Sequence, residues 1–127
     1  MVEEEGRHDK TGEQASGNPQ APLTINRCYG WTSYRARTAG LRVYGATLAP
    51  YEGAAYYSPQ GEAVRTAVNT WMRTSRAFDA VLDFDAVFRD PARPTRLLPA
   101  FDSGDRLHPS DAAYEAAAKS VDLSLFK

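Results

Sequence analysis

Residues 41–48 read Leu41-Arg42-Val43-Tyr44-Gly45-Ala46-Thr47-Leu48, and Pro50 follows shortly after them. A short apolar run that is closed by a proline predicts a buried β-strand. Residues 80–84, Ala80-Val81-Leu82-Asp83-Phe84, predict a second strand for the same reason. Residues 59–76 between the two runs have helical periodicity, and another helix follows the second run. The order strand–helix–strand–helix predicts an α/β fold with a parallel sheet and right-handed crossovers.

The predicted helix over residues 59–76 has clear start signals. Ser58 can cap its first turn, Pro59 suits the first helical position, and Glu62 lies where the helix dipole favours an acid. The predicted apolar face consists of two adjacent columns, Ala63, Ala67 and Trp71, and Val64, Val68 and Met72. The predicted polar face on the far side consists of Arg65, Asn69 and Arg73. The pattern therefore indicates a strongly amphipathic helix that packs on the sheet.

The segments around this unit are less regular. Residues 27–40 are ambiguous and could end as a short helix that Gly40 stops. Residues 85–109 form a long connection with several prolines, and a connection of this length in a compact domain is more often functional or mobile than idle. A last helix is predicted from a cap at Ser110 to about Ser120. Its apolar face consists of Ala113, Ala117 and Val121.

Composition bounds the class of protein. The chain has 127 residues, of which 43% are hydrophobic, and a net charge of −1, as expected for one globular domain. This balance argues against a nucleic-acid partner, because broad phosphate contact needs a basic excess. No stretch approaches the ~18 apolar residues of a membrane span. Polar residues 1–26 cannot offset their ordering entropy, so we predict a disordered acidic tail at 1–26 and a domain at 27–127.

The candidate chemistry lies in residues 102–111, Asp102-Ser103-Gly104-Asp105-Arg106-Leu107-His108-Pro109-Ser110-Asp111. An aspartate three residues before a histidine can hold one ring nitrogen, so that the other takes a proton from a nucleophile. Capping and local hydrogen bonding explain many such pairs equally well. A metal site formed by Asp102, Asp105, His108 and Asp111 is disfavoured, because a loop that turns into a helix would not keep all four convergent.

The other histidine, His8, lies in the predicted tail and has no evident partner. The first residues, Met1-Val2-Glu3-Glu4-Glu5, lack the basic and apolar regions of a secretory signal. The sequence as written therefore indicates a cytoplasmic protein, and the true compartment is left open.

Several motifs together resemble one enzyme family. They are Gly45-Ala46-Thr47-Leu48-Ala49-Pro50, Ser58-Pro59-Gln60-Gly61-Glu62-Ala63-Val64-Arg65, Asn69-Thr70-Trp71, Asp83-Phe84-Asp85, Arg89-Asp90-Pro91 and Asp105-Arg106-Leu107-His108-Pro109. Over residues 35–126 this series resembles the C-terminal half of SGNH (GDSL-type) esterases and acylhydrolases. The resemblance implies a flavodoxin-like α/β/α fold, here with about two strands and two to three helices. It also implies ester or acylated small-molecule substrates and no metal or organic cofactor, and relatives of this kind are often exported.

In this resemblance Asp105 is the orienting acid and His108 is the general base of a Ser-His-Asp triad. The sequence departs from the family pattern elsewhere. It contains no Gly-Asp-Ser nucleophile motif and no Gly-x-Asn-Asp, and Asp102-Ser103-Gly104 has similar letters in another order. A base without its nucleophile and oxyanion donors does not perform acyl transfer, so we expect a fragment that is inactive alone.

Length supports the same expectation. A parallel sheet of about five strands needs roughly 150–200 residues, which is more than the domain at 27–127 holds. One alternative is a non-catalytic remnant or half-domain that associates with a partner chain. Loss of a neighbouring strand would leave the strand of residues 41–48 with an open apolar edge, which predicts self-association. A small binding module of unknown ligand is a third, less favoured alternative.

Overall fold

A parallel pair of short strands forms the centre of the computed structural model, which describes residues 20–127. Strand β1 is Tyr44–Ala46 and strand β2 is Ala80–Leu82. They pair in parallel, with Tyr44 opposite Ala80 and Ala46 opposite Leu82. Both strands lie inside the runs that the sequence predicts, and the parallel direction is confirmed. The regular ladder is shorter than either run, because the chain bends away at Thr47 and Asp83.

The crossover helix α2, Pro59–Thr74, connects the two strands. The hydroxyl of Ser58 accepts a hydrogen bond from the Gly61 N–H at 3.0 Å, which confirms the predicted cap. Val68 and Met72 are buried as predicted. Arg73 is exposed as predicted, but the predicted faces are wrong at four other positions, since Ala63 and Ala67 are exposed whereas Arg65 and Asn69 are buried. The physical reason is that this side of the helix lies against polar groups that follow β1 and β2.

Helix α1, Ala21–Thr38, precedes the sheet and packs against α2. Gly30 of α1 lies against the Trp71 ring of α2, and a methyl group at Gly30 would make an ordinary van der Waals contact with that ring at 3.6 Å. The chain leaves α1 through Gly40, which has a φ of +78°. The N–H of Gly40 donates to Arg37 O at 3.0 Å and that of Leu41 donates to Ala36 O at 3.0 Å, a Schellman motif. The predicted stop at Gly40 is confirmed, and the ambiguous segment is helical.

The predicted tail and the observed helix overlap. Residues 21–26 belong to α1, although the composition predicts disorder for them. Tertiary packing against α2 explains this difference, because it stabilises a helix that the local sequence does not specify. Residues 1–19 of the predicted tail, with His8, lie outside the described residues. Between residues 20 and 127, no helix is both long and apolar enough to cross a membrane.

The predicted long connection at 85–109 is instead largely regular. It begins in helix α3, Phe84–Phe88, and continues into an antiparallel hairpin of β3, Arg89–Asp90, and β4, Arg93–Leu97. A 3-10 turn at Pro99–Phe101 follows the hairpin. These elements pack on the last helix as a second structural layer beside the parallel strands.

The last helix, α4, spans Asp111–Ser120, close to its predicted bounds. A short 3-10 turn, Leu123–Phe126, ends the chain against β1, where the Tyr44 hydroxyl donates to Leu125 O. The main apolar cluster consists of Phe88, Leu97, Ala113 and Ala117. Two of the three residues predicted for the apolar face of α4 therefore lie in the core. This cluster anchors both ends of the loop that carries the candidate site.

Candidate active site

The loop at residues 102–109 is closed at its base. Asp102 and Pro109 form an isolated antiparallel bridge, and the Ser103 N–H donates to His108 O at 3.1 Å. Just outside the bridge, the Ser110 N–H donates to Phe101 O at 2.8 Å. The bridge joins the 3-10 turn to the start of α4, so the packed core holds the loop at both ends.

The Asp102 carboxylate shapes the first half of the loop. Its Oδ1 accepts hydrogen bonds from the N–H groups of Gly104 at 2.8 Å and Arg106 at 2.9 Å. Gly104 has a φ of +117° and Arg106 a φ of +62°. A non-glycine residue in the left-handed region is uncommon, and it persists where surrounding interactions hold it. Here the Asp102 hydrogen bond provides that hold.

The second half of the loop brings Asp105 and His108 together. Oδ2 of Asp105 lies 2.5 Å from Nδ1 of His108. The other carboxylate oxygen, Oδ1, accepts from the N–H groups of Leu107 at 2.9 Å and His108 at 2.8 Å. The contact to the His108 ring, followed by those two N–H groups, holds the pKa of the Asp105 carboxyl well below its usual range. Asp105 is therefore an ionised acceptor that fixes the orientation of the imidazole.

This arrangement leaves the far ring nitrogen of His108 available. The His108 side chain is 68% exposed and that of Asp105 is 49% exposed. Between residues 20 and 127, no side chain forms a hydrogen bond to His108 Nε2. The nearby hydroxyls are used elsewhere, since Ser103 donates to Asp105 Oδ1 at 3.3 Å and Ser110 donates to Ala100 O at 2.9 Å. A ring held in this way can accept a proton from a hydroxyl that another molecule or segment presents.

The loop that follows β1 contacts the loop of His108. A methyl group at Gly53 would lie 2.4 Å from Cδ of Arg106, so glycine lets the Arg106 stem pass directly over the backbone. The N–H of Glu52 donates to Thr95 O at 2.9 Å and connects the same loop to the hairpin. His108 therefore belongs to the group of loops at the carboxyl end of β1, the end at which open α/β sheets place their ligand sites.

A partly buried polar network supports these loops, and the sequence pattern missed it. Arg65 Nη1 donates to Asp85 Oδ1 at 2.5 Å and to Leu48 O at 3.0 Å. Arg73 Nη2 donates to Asp83 Oδ1 at 2.6 Å and to Asp85 Oδ2 at 2.6 Å. The hydrogen bonds from Arg73 hold the pKa of the Asp83 carboxyl below its usual value. The network ties α2 to the residues that follow both parallel strands.

Asn69 provides a second tie to the segment after β1. Its Oδ1 accepts the Leu48 N–H at 2.8 Å, and its Nδ2 donates to Leu48 O at 2.9 Å. The side chain is 1% exposed. One signal in the sequence could have indicated these buried contacts. Arg65 and Asn69 lie four residues apart on the helix, beside an apolar column, but the amphipathic pattern assigned both to solvent.

The sequence matches the model of a known protein family. The profile of the GDSL-like lipase/acylhydrolase family matches residues 25–121. The chain belongs to that family. The mixed α/β architecture with its small parallel sheet is consistent with a GDSL-type hydrolase fold, as predicted. A comparison with curated proteins finds no match to this chain.

The predicted site residues of this GDSL-family chain have different surroundings in the structure. Asp105 and His108 are in direct contact, at the distance given above. The metal alternative finds no support, since no group of three His, Cys, Asp or Glu side chains between residues 20 and 127 is arranged to hold an ion. Asp102 instead accepts backbone hydrogen bonds, and Asp111 lies in the first turn of α4, where an acid favours the helix dipole.

Proposed function

We propose that this chain supplies the acid–base pair of a serine ester hydrolase, in which Asp105 orients the ring and His108 acts as general base. The observation that supports this most is the 2.5 Å contact between Asp105 Oδ2 and His108 Nδ1, with Nε2 left without a partner between residues 20 and 127. Membership of the GDSL-like lipase/acylhydrolase family supplies the reaction class. The substrate class is accordingly a carboxylic ester of a small molecule.

In the proposed reaction a serine hydroxyl attacks the acyl carbonyl and His108 Nε2 takes its proton. The imidazolium then returns that proton to the leaving alcohol, and water hydrolyses the acyl-enzyme by the same steps. Ionised Asp105 stabilises the imidazolium while it exists. The sequence has no Gly-Asp-Ser motif, so the proposal assigns the nucleophile and the oxyanion donors to a separate polypeptide segment. The chain alone is expected to have little activity.

A complementation assay tests this proposal. The purified chain is mixed with a separately expressed N-terminal segment of a GDSL-family hydrolase that carries the Gly-Asp-Ser motif, and p-nitrophenyl acetate hydrolysis is followed. We expect activity in the mixture above the sum of the parts. His108→Ala should lower that activity by about 10³-fold or more, because the serine loses its base. Lys119→Ala, on the exposed surface of α4, is the matched control.

Equal activity of the His108→Ala and wild-type mixtures would refute the role of His108. To distinguish a serine mechanism from direct attack by imidazole, the acetylated species is identified by mass spectrometry after rapid quenching. An acetyl group on a serine of the added segment supports the proposal. An acetyl group on His108 would replace it with nucleophilic catalysis by the ring.

A second candidate function is association with a partner chain as a half-domain. Within residues 20–127 the parallel sheet has the order β1-β2, so each strand has one unpaired edge there. A groove of about 460 Å³ beside β2 is lined largely by apolar side chains, among them Ala80, Val81, Leu82, Val87 and Leu125. Light scattering over a concentration series tests this function. A monomer at every concentration, alone and with the added segment, would contradict it.

A further inference from the structure

A small polar pocket lies beside the His108 loop and is not used by the proposed acid–base pair. Its volume is about 230 Å³. Its walls come from the loop after β1, from the hairpin, from the 3-10 turn and from the His108 loop itself. The lining residues are Glu52, Arg96, Leu97, Pro99, Asp102 and Arg106. The pocket thus combines four charged groups with an apolar wall.

Glu52 and Asp102, the two acids of this pocket, are already satisfied by protein groups. Glu52 Oε1 accepts from Arg93 Nη2 at 2.6 Å and from Arg96 Nη2 at 3.0 Å, and its other oxygen accepts from the Thr95 hydroxyl. The Asp102 carboxylate accepts two backbone N–H groups, as described above. Glu52 is paired with two arginines, and Asp102 Oδ1 is occupied by two N–H donors, so the pocket does not offer a set of free carboxylate oxygens to a cation.

Arg106 is the exception among the charged groups. Between residues 20 and 127, its guanidinium donates to no carboxylate or carbonyl, whereas Arg96 is paired with Glu52. Its stem is nevertheless fixed in place by contact with Gly53 and by the left-handed backbone that Asp102 holds. A positioned guanidinium without an acceptor is a ready partner for a carboxylate, since its parallel N–H groups match the two oxygens.

We propose that this pocket binds a carboxylate group carried by the ester substrate, with Arg106 as the principal donor. This inference rests on the proposed function, because it places the bound group on the loop that carries His108. The guanidinium groups around the pocket, those of Arg93, Arg96 and Arg106, exceed its two carboxyl groups by one, which fits a monoanion better than a dianion such as phosphate. Leu97 and Pro99 provide an apolar wall for the short carbon chain next to the carboxylate. The preferred substrate is therefore an ester that also carries a free acid.

A ligand titration followed by NMR tests the pocket with the full chain. Monomethyl succinate carries both an ester and a free carboxylate, and dimethyl succinate has the same skeleton without the charge. We expect saturable shifts of the Arg106 Nε–H and the Gly53 N–H with monomethyl succinate and none with dimethyl succinate. Acetate, an acid without an ester, should bind at least severalfold more weakly.

Substitutions at Arg106 test whether this residue binds the carboxylate of the ligand. Arg106→Gln should weaken monomethyl succinate binding by about tenfold or more, and Arg106→Lys by less, because it keeps the charge and loses the paired donors. Arg35→Gln removes an exposed guanidinium from α1 and should change nothing. The dispersion of the amide NMR signals shows whether each variant folds. If Arg106→Gln does not fold, the affinity of Arg106→Lys for monomethyl succinate decides the test.

Three results would overturn the proposal: unchanged affinity in the folded Arg106 variants, equal binding of dimethyl succinate, or equal binding of acetate. Equal binding of acetate would indicate that the pocket binds the acid product of hydrolysis and not the ester substrate. The readout is binding to this chain and not hydrolysis. A failure of the acid–base proposal would therefore leave this result unaffected, and the two can be distinguished.

Discussion

Two carboxylate contacts in this molecule have the same separation and opposite environments. Arg65 and Asp85 meet at 2.5 Å with side chains that are 8% and 6% exposed, whereas Asp105 and His108 meet at 2.5 Å with side chains that are 49% and 68% exposed. The buried pair joins distant parts of the chain and has no access to a ligand. The exposed pair is formed within one loop and presents its ring to solvent. The exposure of the side chains thus distinguishes a pair that stabilises the fold from a pair that a ligand can reach.

The largest expected effect comes from breaking the buried pair. Asp85→Ala would remove one of the two carboxylates that pair with buried Arg65, which keeps Glu62 at 2.6 Å, and it would also remove an acceptor from Arg73, so we expect a loss of about 3 kcal/mol in the free energy of unfolding. Urea denaturation at pH 7 measures it. Glu115→Ala breaks the exposed pair with Lys119 and should cost less than about 0.5 kcal/mol. Similar losses in both variants would show that the network does not hold the fold.

Removal of the Asn69 side chain should have an intermediate effect. Asn69→Ala leaves the Leu48 N–H without its acceptor, whereas Leu48 O keeps the hydrogen bond from Arg65 Nη1, and an unsatisfied N–H of this kind costs about 1–3 kcal/mol. The measurement is again urea denaturation, with the exposed neighbour Thr70→Ala as the matched control. A value for Asn69→Ala equal to that of the control would mean that solvent replaces the amide at no cost.

The contact between Asp105 and His108 should affect the pKa of Asp105 more than it affects the free energy of unfolding. A carboxyl whose pKa is lowered in the folded state contributes stability above its unfolded pKa of about 4, and this contribution is lost as the pH falls through the folded pKa. We expect ¹³C NMR to show an Asp105 pKa below that of an ordinary aspartate. His108→Ala should raise this pKa part of the way, because the N–H groups of residues 107 and 108 still donate to the carboxylate.

An internal control is available for this titration. Asp122 also has a lowered pKa, which arises from its hydrogen bonds with Ser124. That pKa should be the same in wild type and in His108→Ala. A lack of change at Asp105 in the variant would mean that the histidine ring does not stabilise the carboxylate in solution. At pH 7, His108→Ala should shift the unfolding midpoint less than Asn69→Ala does, since the pair is exposed.

The sequence predicted the features that depend on near neighbours. Whereas the parallel strand pair followed from the strand–helix–strand order, which favours a parallel crossover, the Ser58 cap and the Gly40 stop follow from interactions that short patterns specify. Contact between Asp105 and His108 belongs to the same class, because three residues of a turning loop separate them. The catalytic role of that pair stays a prediction.

The features that the sequence did not predict depend on partners far along the chain. Asn69 bonds to a residue 21 positions away, and Arg65 to one 20 positions away, so helical periodicity alone assigned both to solvent. The hairpin was missed because prolines suggested a connection. Pro94 nevertheless lies inside β4, and an edge position tolerates a residue that donates no hydrogen bond. Helix α1 was ambiguous because it exposes Trp31 and Tyr34 and lacks a clear apolar face.

The bridge between Asp102 and Pro109 makes the loop a closed ring, and the hydrogen bonds that orient His108 come from within that ring. The orientation of His108 therefore depends on the loop itself, and the loop can be transferred to another protein as one segment. A scaffold that offers a turn before it and a helix after it can receive the acid and the base in one insertion, with their mutual geometry already set. The contact of Arg106 with Gly53 also has to be rebuilt in the recipient, because it joins the ring to the loop after β1.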